Sequence, residues 1–150
     1  MNAKVHGSSE PSEWIKKKLD SVGGPVGHAV DIASGAGRHS FLLSNIVSDV
    51  TAIDRNPELS KYFRDTHIHF RCIDLEQDAW PMEGHRYDIV LVSNYLYRPH
   101  LINTIDLVSP GGFLVYETFG EGNERFGKPS NPNFLLKPGE LRKFVGDEFV

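Results

Sequence analysis

Apolar positions along this chain change their spacing repeatedly, and the changes mark out alternating helices and strands. After a small, polar stretch over residues 1 to 10, Pro11 is placed to open a helix with Trp14, Ile15, Leu19 and Val22 broadly on one face. Gly23, Gly24 and Pro25 stop that helix, and Gly27 to Asp31 reads as a short buried strand ending in an acid. From Arg38 the set Phe41, Leu42, Ile46 and Val47 follows helical spacing, and Asp49 to Asp54 returns to strand chemistry through Val50, Ala52 and Ile53. Asn56 and Pro57 signal a brief helix ending near Asp65, and IHFRCID, residues 68 to 74, alternates enough for a third strand.

A turn-rich stretch, EQDAWPMEGHR, leads to YDIVLVSN, whose unbroken apolar run suits a central strand covered on both faces. Leu101, Ile105 and Val108 mark a helix, Ser109 to Gly112 a turn, and FLVYE a fifth strand. Such alternation predicts an α/β fold, a doubly wound, mostly parallel sheet with helices on both faces. After Phe119 the pattern breaks into a long loop rich in Gly, Pro and Asn, followed by a last helix from Pro138 to Val145.

Length and charge narrow this picture. A chain of 150 residues predicts a single domain spanning 1–150, with residues 1–10 loose. A formal charge of -4 gives no broad attraction to nucleic acid. Cys72 is the single cysteine, which excludes an intramolecular disulfide and a paired-thiol metal site and fits a reducing cytoplasm. No run of about 18 uncharged apolar residues is present, so the expectation is a soluble protein with no membrane span.

The chemistry concentrates in the turns. Gly35 and Gly37 allow close backbone approach to a ligand, toward which the helix opening at Arg38 would point its free N–H groups; an empty strand-to-helix turn is the bland alternative. A dinucleotide turn wants G-x-G-x-x-G, but the sequence from Gly35 is G-A-G-R-H-S, with Ser40 where the third glycine belongs, which separates helix from strand. Asp31 would repel a pyrophosphate and attract a cationic amino group. Asp54, closing the second strand, suits the two hydroxyls of a ribose or else caps the turn at Asn56. Asp74, closing the third, suits an exocyclic base amine or else is an ordinary turn aspartate. Together the three acids converge on one crevice and select a nucleoside carrying a cationic amino acid.

Those pieces, DIASGAGRH, AIDRNP, CIDLEQ, YDIVLVSNYL and VSPGGFLVYE in that order, resemble class I S-adenosylmethionine-dependent methyltransferases, the seven-stranded Rossmann-like type. The resemblance covers about residues 12 to 145 and is greatest to small bacterial tellurite-resistance-type enzymes. It implies S-adenosyl-L-methionine as cofactor, with Asp31 and the turn of Ala33, Ser34, Gly35 and Gly37 at its methionine part. Asp54 would lie at the ribose, Asp74 and Leu75 at the adenine, and Asn94 and Tyr95 near the methyl group, with Arg38 and Arg55 also in the cofactor site and Trp14 closing over the cofactor. Ala33 stands where the family often has glycine. The family's sheet also ends in an antiparallel strand pair, and this sequence stops at Glu148, Phe149 and Val150, before that pair. The resemblance therefore implies a truncated chain, a divergent short form or a sheet completed by a partner, with the fifth strand as an apolar edge open to a homodimer.

A methyl transfer of this kind needs alignment and exclusion of water more than a dedicated acid or base. Tyr95, Tyr97, Arg98 and His100 after the fourth strand, Glu117 after the fifth, and Arg125 and Phe126 in the long loop are placed to surround a small-molecule acceptor. Tyr95, His100 and Glu117 are the catalytic candidates, His100 as a general base or else a helix cap, the tyrosines otherwise as packing. His67 and His69 read as a solvated strand edge rather than metal ligands, Lys16 to Lys18 as a solvated helix face, and Cys72 as core packing. Two other readings stay open: a noncatalytic cofactor-binding module, and a nicotinamide-dependent oxidoreductase, which Ser40 and Asp31 disfavour.

Overall fold

The structure is a computed structural model that describes residues 10–22 and 26–149. The expectations for residues 1 to 9, for Gly23, Gly24 and Pro25, and for Val150 lie outside these residues. Strands β1 (Val26–Ile32), β2 (Val47–Asp54), β3 (His69–Cys72), β4 (Tyr87–Ser93) and β5 (Val108–Glu117) form one sheet in the order β3-β2-β1-β4-β5. Every pairing in it is parallel. The order reverses between β1 and β4, and in such sheets the crevice outside the carboxyl ends at that switch point is where ligands bind.

The strand alternation sorts side chains to two buried faces. Ala29 of β1 and Ile89 and Leu91 of β4 pack with Ile15 and Leu19 of α1 (Glu13–Asp20) and Leu43 of α2 (Arg38–Leu43). Val30, Ile32, Val90 and Val92 pack on the opposite side with Ile53, Leu75, Met82 and Leu107. Residues Ile89 to Val92 are fully buried, as their apolar run predicts. Helices α3 (Leu101–Ile105) and α4 (Glu140–Val145) share a third cluster, which includes Leu114 and Tyr116 of β5.

Several boundaries differ from the sequence reading. Helix α2 ends at Leu43, and Ile46 and Val47 do not continue it: turns from Asn45 N–H to Leu42 and from Ile46 N–H to Leu43 tighten the exit. Val47 opens β2 because it pairs level with Val26, and its branched side chain suits a strand. Val108 likewise leaves the helix and pairs with Tyr87, so Ser109 to Gly112 is an irregular part of β5 rather than a turn before it. The register shifts there, and a Cβ on Gly112 would lie 2.8 Å from the Asp88 carbonyl. Pro11 precedes the N-cap of α1, Ser12, whose hydroxyl accepts from the Ile15 N–H. The last helix begins at Glu140, not Pro138. Cys72 is exposed rather than core, on the short edge strand β3.

At the amino-terminal end of the sheet, Asp88 accepts hydrogen bonds from the Gly27 and His28 N–H groups and the Ser109 hydroxyl, tying β1, β4 and β5 together. The two backbone donors hold its carboxyl below the usual carboxylate range.

Candidate functional site

The turn leaving β1 is built on two left-handed residues before its second glycine, Ala33 at φ 55° and Gly35 at φ 56°. Asn94, just past β4, repeats the device at φ 55°, so the two central strands end in the same sharp change of direction. The turn is pinned to β2, since Ser34 N–H donates to the Ile53 carbonyl (2.9 Å) and Gly35 N–H to Asp54 Oδ2 (3.0 Å). Arg38 spans the crevice, one nitrogen reaching the Ser93 hydroxyl at the end of β4 (3.3 Å) and another the Glu10 carbonyl (2.9 Å).

The two glycines do different work. Around an added Cβ at Gly35 nothing lies within 4 Å, so this face of the turn is open. At Gly37, φ 91°, an added Cβ would lie 2.6 Å from the Phe63 ring. Gly37 is therefore required by packing against Phe63, which stacks in turn on Phe41 and Phe70, and the open face of the turn is at Gly35.

Asp31 is 2 % exposed, and its Oδ2 accepts the Ser40 hydroxyl at 2.7 Å. Burial pushes its carboxyl up to about 7, against the lowering by Ser40 and Arg38. The next residue, His39, is also buried, and burial then Arg38 push its imidazole down to about 4. As a neutral ring it accepts the Ser12 N–H on Nε2 at 3.0 Å, so Arg38 and His39 together hold residues 10 to 12 at the mouth of α1. Nothing in the sequence pattern pointed to His39, whose partner is far away along the chain.

Asp54 shows the capping reading, its Oδ1 accepting the Asn56 N–H (3.1 Å) while Oδ2 takes Gly35. Each carboxylate oxygen has a second lone pair, so these bonds leave acceptor capacity for ribose hydroxyls. Arg55 beside it is exposed. Asp74 does not close β3, which ends at Cys72; it is exposed in the turn that follows, Oδ1 accepting from Glu76 N–H (2.9 Å), and Leu75 is buried in the core. Tyr95 is half-buried; its hydroxyl donates to Glu76 Oε2 (3.3 Å), and burial followed by the Glu76 charge raises its phenol above the ordinary range.

Two residues placed near an acceptor by the sequence are tied to other segments of the chain. His100 Nε2 lies 2.5 Å from the Gln77 carbonyl, which can only accept, so that nitrogen carries the proton and Nδ1 faces the Asn103 amide at 2.9 Å. Both ring nitrogens are engaged by protein groups, so His100 ties the end of β4 to the Gln77 segment and to α3. Arg98 donates to both Glu140 oxygens (2.6 and 2.9 Å) and to the Pro132, Asn133 and Leu135 carbonyls, which fastens the long loop to α4. The Arg98 hydrogen bonds hold the Glu140 carboxyl down at about 2.

Glu117 and Trp14 meet at a cavity of about 340 Å3 lined also by Tyr116, Thr118, Leu136 and Leu141. The cavity abuts the crevice, because the Asn94 N–H donates to the Glu117 carbonyl (2.8 Å) across the ends of β4 and β5. Phe126 is wholly exposed in the long loop, with Arg125 beside it. At the opposite end of the sheet, Asp49 lies 2.8 Å from His28 and 3.6 Å from His69, a cluster the sequence reading did not find. Among the described residues no three His, Cys, Asp or Glu side chains are grouped to hold a metal ion, and no helix is long and apolar enough to cross a membrane.

A parallel sheet with this switch point, an acid closing β2 and an acid within a residue of the end of β1 make this a doubly wound α/β protein with its crevice at the carboxyl ends of the strands. The family model described as a methyltransferase domain matches residues 29–112. The chain belongs to that family, the class I S-adenosylmethionine-dependent methyltransferases, whose cofactor is S-adenosylmethionine. No curated protein matches the sequence. Among solved structures, the chain is similar to the N-methyltransferase NodS from Bradyrhizobium japonicum, at 20% identity over 87% of this chain and 76% of that one, TM-score 0.63. It is similar as well to a TehB-like S-adenosylmethionine-dependent methyltransferase from Corynebacterium glutamicum, 20% identical over 87% and 69%, TM-score 0.64. A third is the methyltransferase partner of the Trm112 activator in a complex from Haloferax volcanii, 22% identical over 90% and 67%, TM-score 0.69. These three likenesses are of fold.

Proposed function

We propose that the chain binds S-adenosylmethionine in the crevice over β1, β2 and β4 and transfers its methyl group to a small-molecule acceptor. The observation that carries this reading is the pair of acids flanking the Gly35 turn. Asp31 is enclosed with a single hydroxyl donor, Asp54 is anchored by the Gly35 N–H, and the face of Gly35 between them is open. One acid suits an ammonium, the other a pair of hydroxyls, which is the chemistry of this cofactor's two ends.

In this reading Asp31, Ala33, Ser34, Gly35 and Arg38 hold the methionine part, and Gly37 keeps the turn in shape through Phe63. Asp54 and Arg55 take the ribose. Asp74, and Leu75 as an apolar wall, take the adenine. Asn94 and Tyr95 flank the reacting methyl group, and Trp14 and Glu117 face the acceptor. Bound S-adenosylmethionine supplies an activated methyl group, so the protein's own part is to align the acceptor and exclude water. The small size of the cavity beside Glu117 and the absence of a net basic charge support a small acceptor over a polymer.

Calorimetric titration with S-adenosylhomocysteine and, separately, NAD tests this. Binding of S-adenosylhomocysteine with no binding of NAD is expected, and Asp54→Ala should weaken it by about tenfold or more. Binding of NAD alone contradicts the proposal, and an Asp54→Ala variant of unchanged affinity removes the ribose role.

A further inference from the structure

The cavity at the end of β5 has a specific chemical character. Its walls are the Trp14 indole, Leu136, Leu141, Thr118 and the ring of Tyr116, whose hydroxyl is turned away to donate to the Tyr95 carbonyl (2.6 Å). Burial raises the Tyr116 phenol above its ordinary range, so it stays neutral. The one charged side chain among the lining residues is Glu117. The Arg98 guanidinium is not among the lining groups and is paired with Glu140. At about 340 Å3 the cavity is at the small end of ligand sites, which run from about 300 to 1,000 Å3.

A mostly apolar cavity whose single charge is a carboxylate favours a ligand with an apolar body and one cationic end, because an ammonium pairs with Glu117 and an anion is repelled by it. An indole in the wall adds to that preference, since its face attracts a cation. We propose that this cavity takes the methyl acceptor as a small amine, its nitrogen beside Glu117 and its apolar body against Trp14, Leu136 and Leu141. The proposal rests on the methyltransferase reading.

The amine arrives as an ammonium and gives one proton to water. Its lone pair then forms the new nitrogen–carbon bond as the methyl–sulfur bond breaks, and the bonding pair stays on sulfur. The positive charge passes to the methylated nitrogen, beside the Glu117 carboxylate.

Calorimetry with 2-phenylethylamine, 2-phenylethanol and phenylacetate, each in the presence of saturating S-adenosylhomocysteine, separates charge from shape. The amine should bind about tenfold or more tightly than the alcohol, phenylacetate more weakly than either, and Glu117→Gln should erase the preference for amine. Leu141→Lys, which leaves Glu117 in place and puts a cation in the cavity, should lose amine binding even if Glu117→Gln fails to fold. Equal binding of amine and alcohol, tighter phenylacetate, no binding of any probe, or an unchanged preference in the variants overturns the proposal. If S-adenosylhomocysteine itself binds and only the amine preference is missing, the cavity assignment falls alone; if it does not bind, the methyltransferase reading falls first.

Discussion

Ser40 Oγ donates to Asp31 Oδ2 at 2.7 Å, and both residues are almost wholly buried. Ser40 stands where a dinucleotide-binding turn has its third glycine, and the sequence alone presents it as a spacer between helix and strand. The structure gives it a partner: the hydroxyl satisfies one oxygen of a carboxylate that is almost wholly buried. Ser40→Ala should lower stability by about 1–3 kcal/mol, the penalty for an unsatisfied buried acceptor, measured as the urea midpoint at pH 7. No change in that midpoint would show that the bond contributes nothing.

Asp31 should also make ligand binding depend on pH. Its carboxyl is raised to about 7 by burial, so the stability it contributes is full below the ordinary carboxylate range and is lost as pH rises through about 7. A cationic amino acid bound beside it requires the carboxylate. Affinity for S-adenosylhomocysteine should therefore rise by up to about tenfold per pH unit below 7 and flatten above it, with proton release on binding. Calorimetry in buffers of different ionisation enthalpy measures that proton, and Asp31→Asn should abolish it. A flat profile from pH 5.5 to 7.5 would remove Asp31 from contact with the ligand's charge.

The two glycines of the turn should separate in mutagenesis. Gly37→Ala places a methyl 2.6 Å from the Phe63 ring on a left-handed backbone, so a stability loss above about 2 kcal/mol is expected. Gly35→Ala meets no atom within 4 Å and should lose only the left-handed penalty, about 1–2 kcal/mol, yet weaken S-adenosylhomocysteine by about tenfold or more. Thermal melts and titrations on the same two proteins decide it. Equal stability losses, or full affinity in Gly35→Ala, would reverse the assignment.

His39 should link the N-terminal segment to acid stability. Its imidazole is held neutral by burial, so stability falls as pH drops below the free histidine range toward about 4. His39→Ala removes the acceptor of the Ser12 N–H and should cost about 1–2 kcal/mol at pH 7 while flattening the decline between pH 6.5 and 5. It should also speed proteolysis between residues 10 and 20. A variant that keeps the wild-type pH slope would place the titrating group elsewhere.

The succession of strands along the chain and the acid at the end of β2, Asp54, were legible because each is a local signal: an apolar run, a turn and a carboxylate. Val90 and Val92 could be read as buried from their neighbours alone. What escaped the sequence depends on residues far apart. Gly37 is fixed by Phe63 and His39 by Ser12, while His100 is engaged by Gln77 and Arg98 by Glu140. No spacing rule brings such pairs together. Ile46 and Val47 kept a helical period by chance, and register with Val26 overrode it. Cys72 was placed in the core by residue type, but β3 is a four-residue edge strand with little to cover it.

The central claim is that the crevice over β1, β2 and β4 holds S-adenosylmethionine with its methyl group turned toward the Glu117 cavity. A crystal structure with S-adenosylhomocysteine bound tests it most directly. The account requires the amino acid end at the Ala33–Gly37 turn beside Asp31, both ribose hydroxyls on Asp54, and the sulfur facing the cavity between Trp14 and Glu117. A nucleoside bound away from Asp54, or a sulfur turned from that cavity, would contradict it.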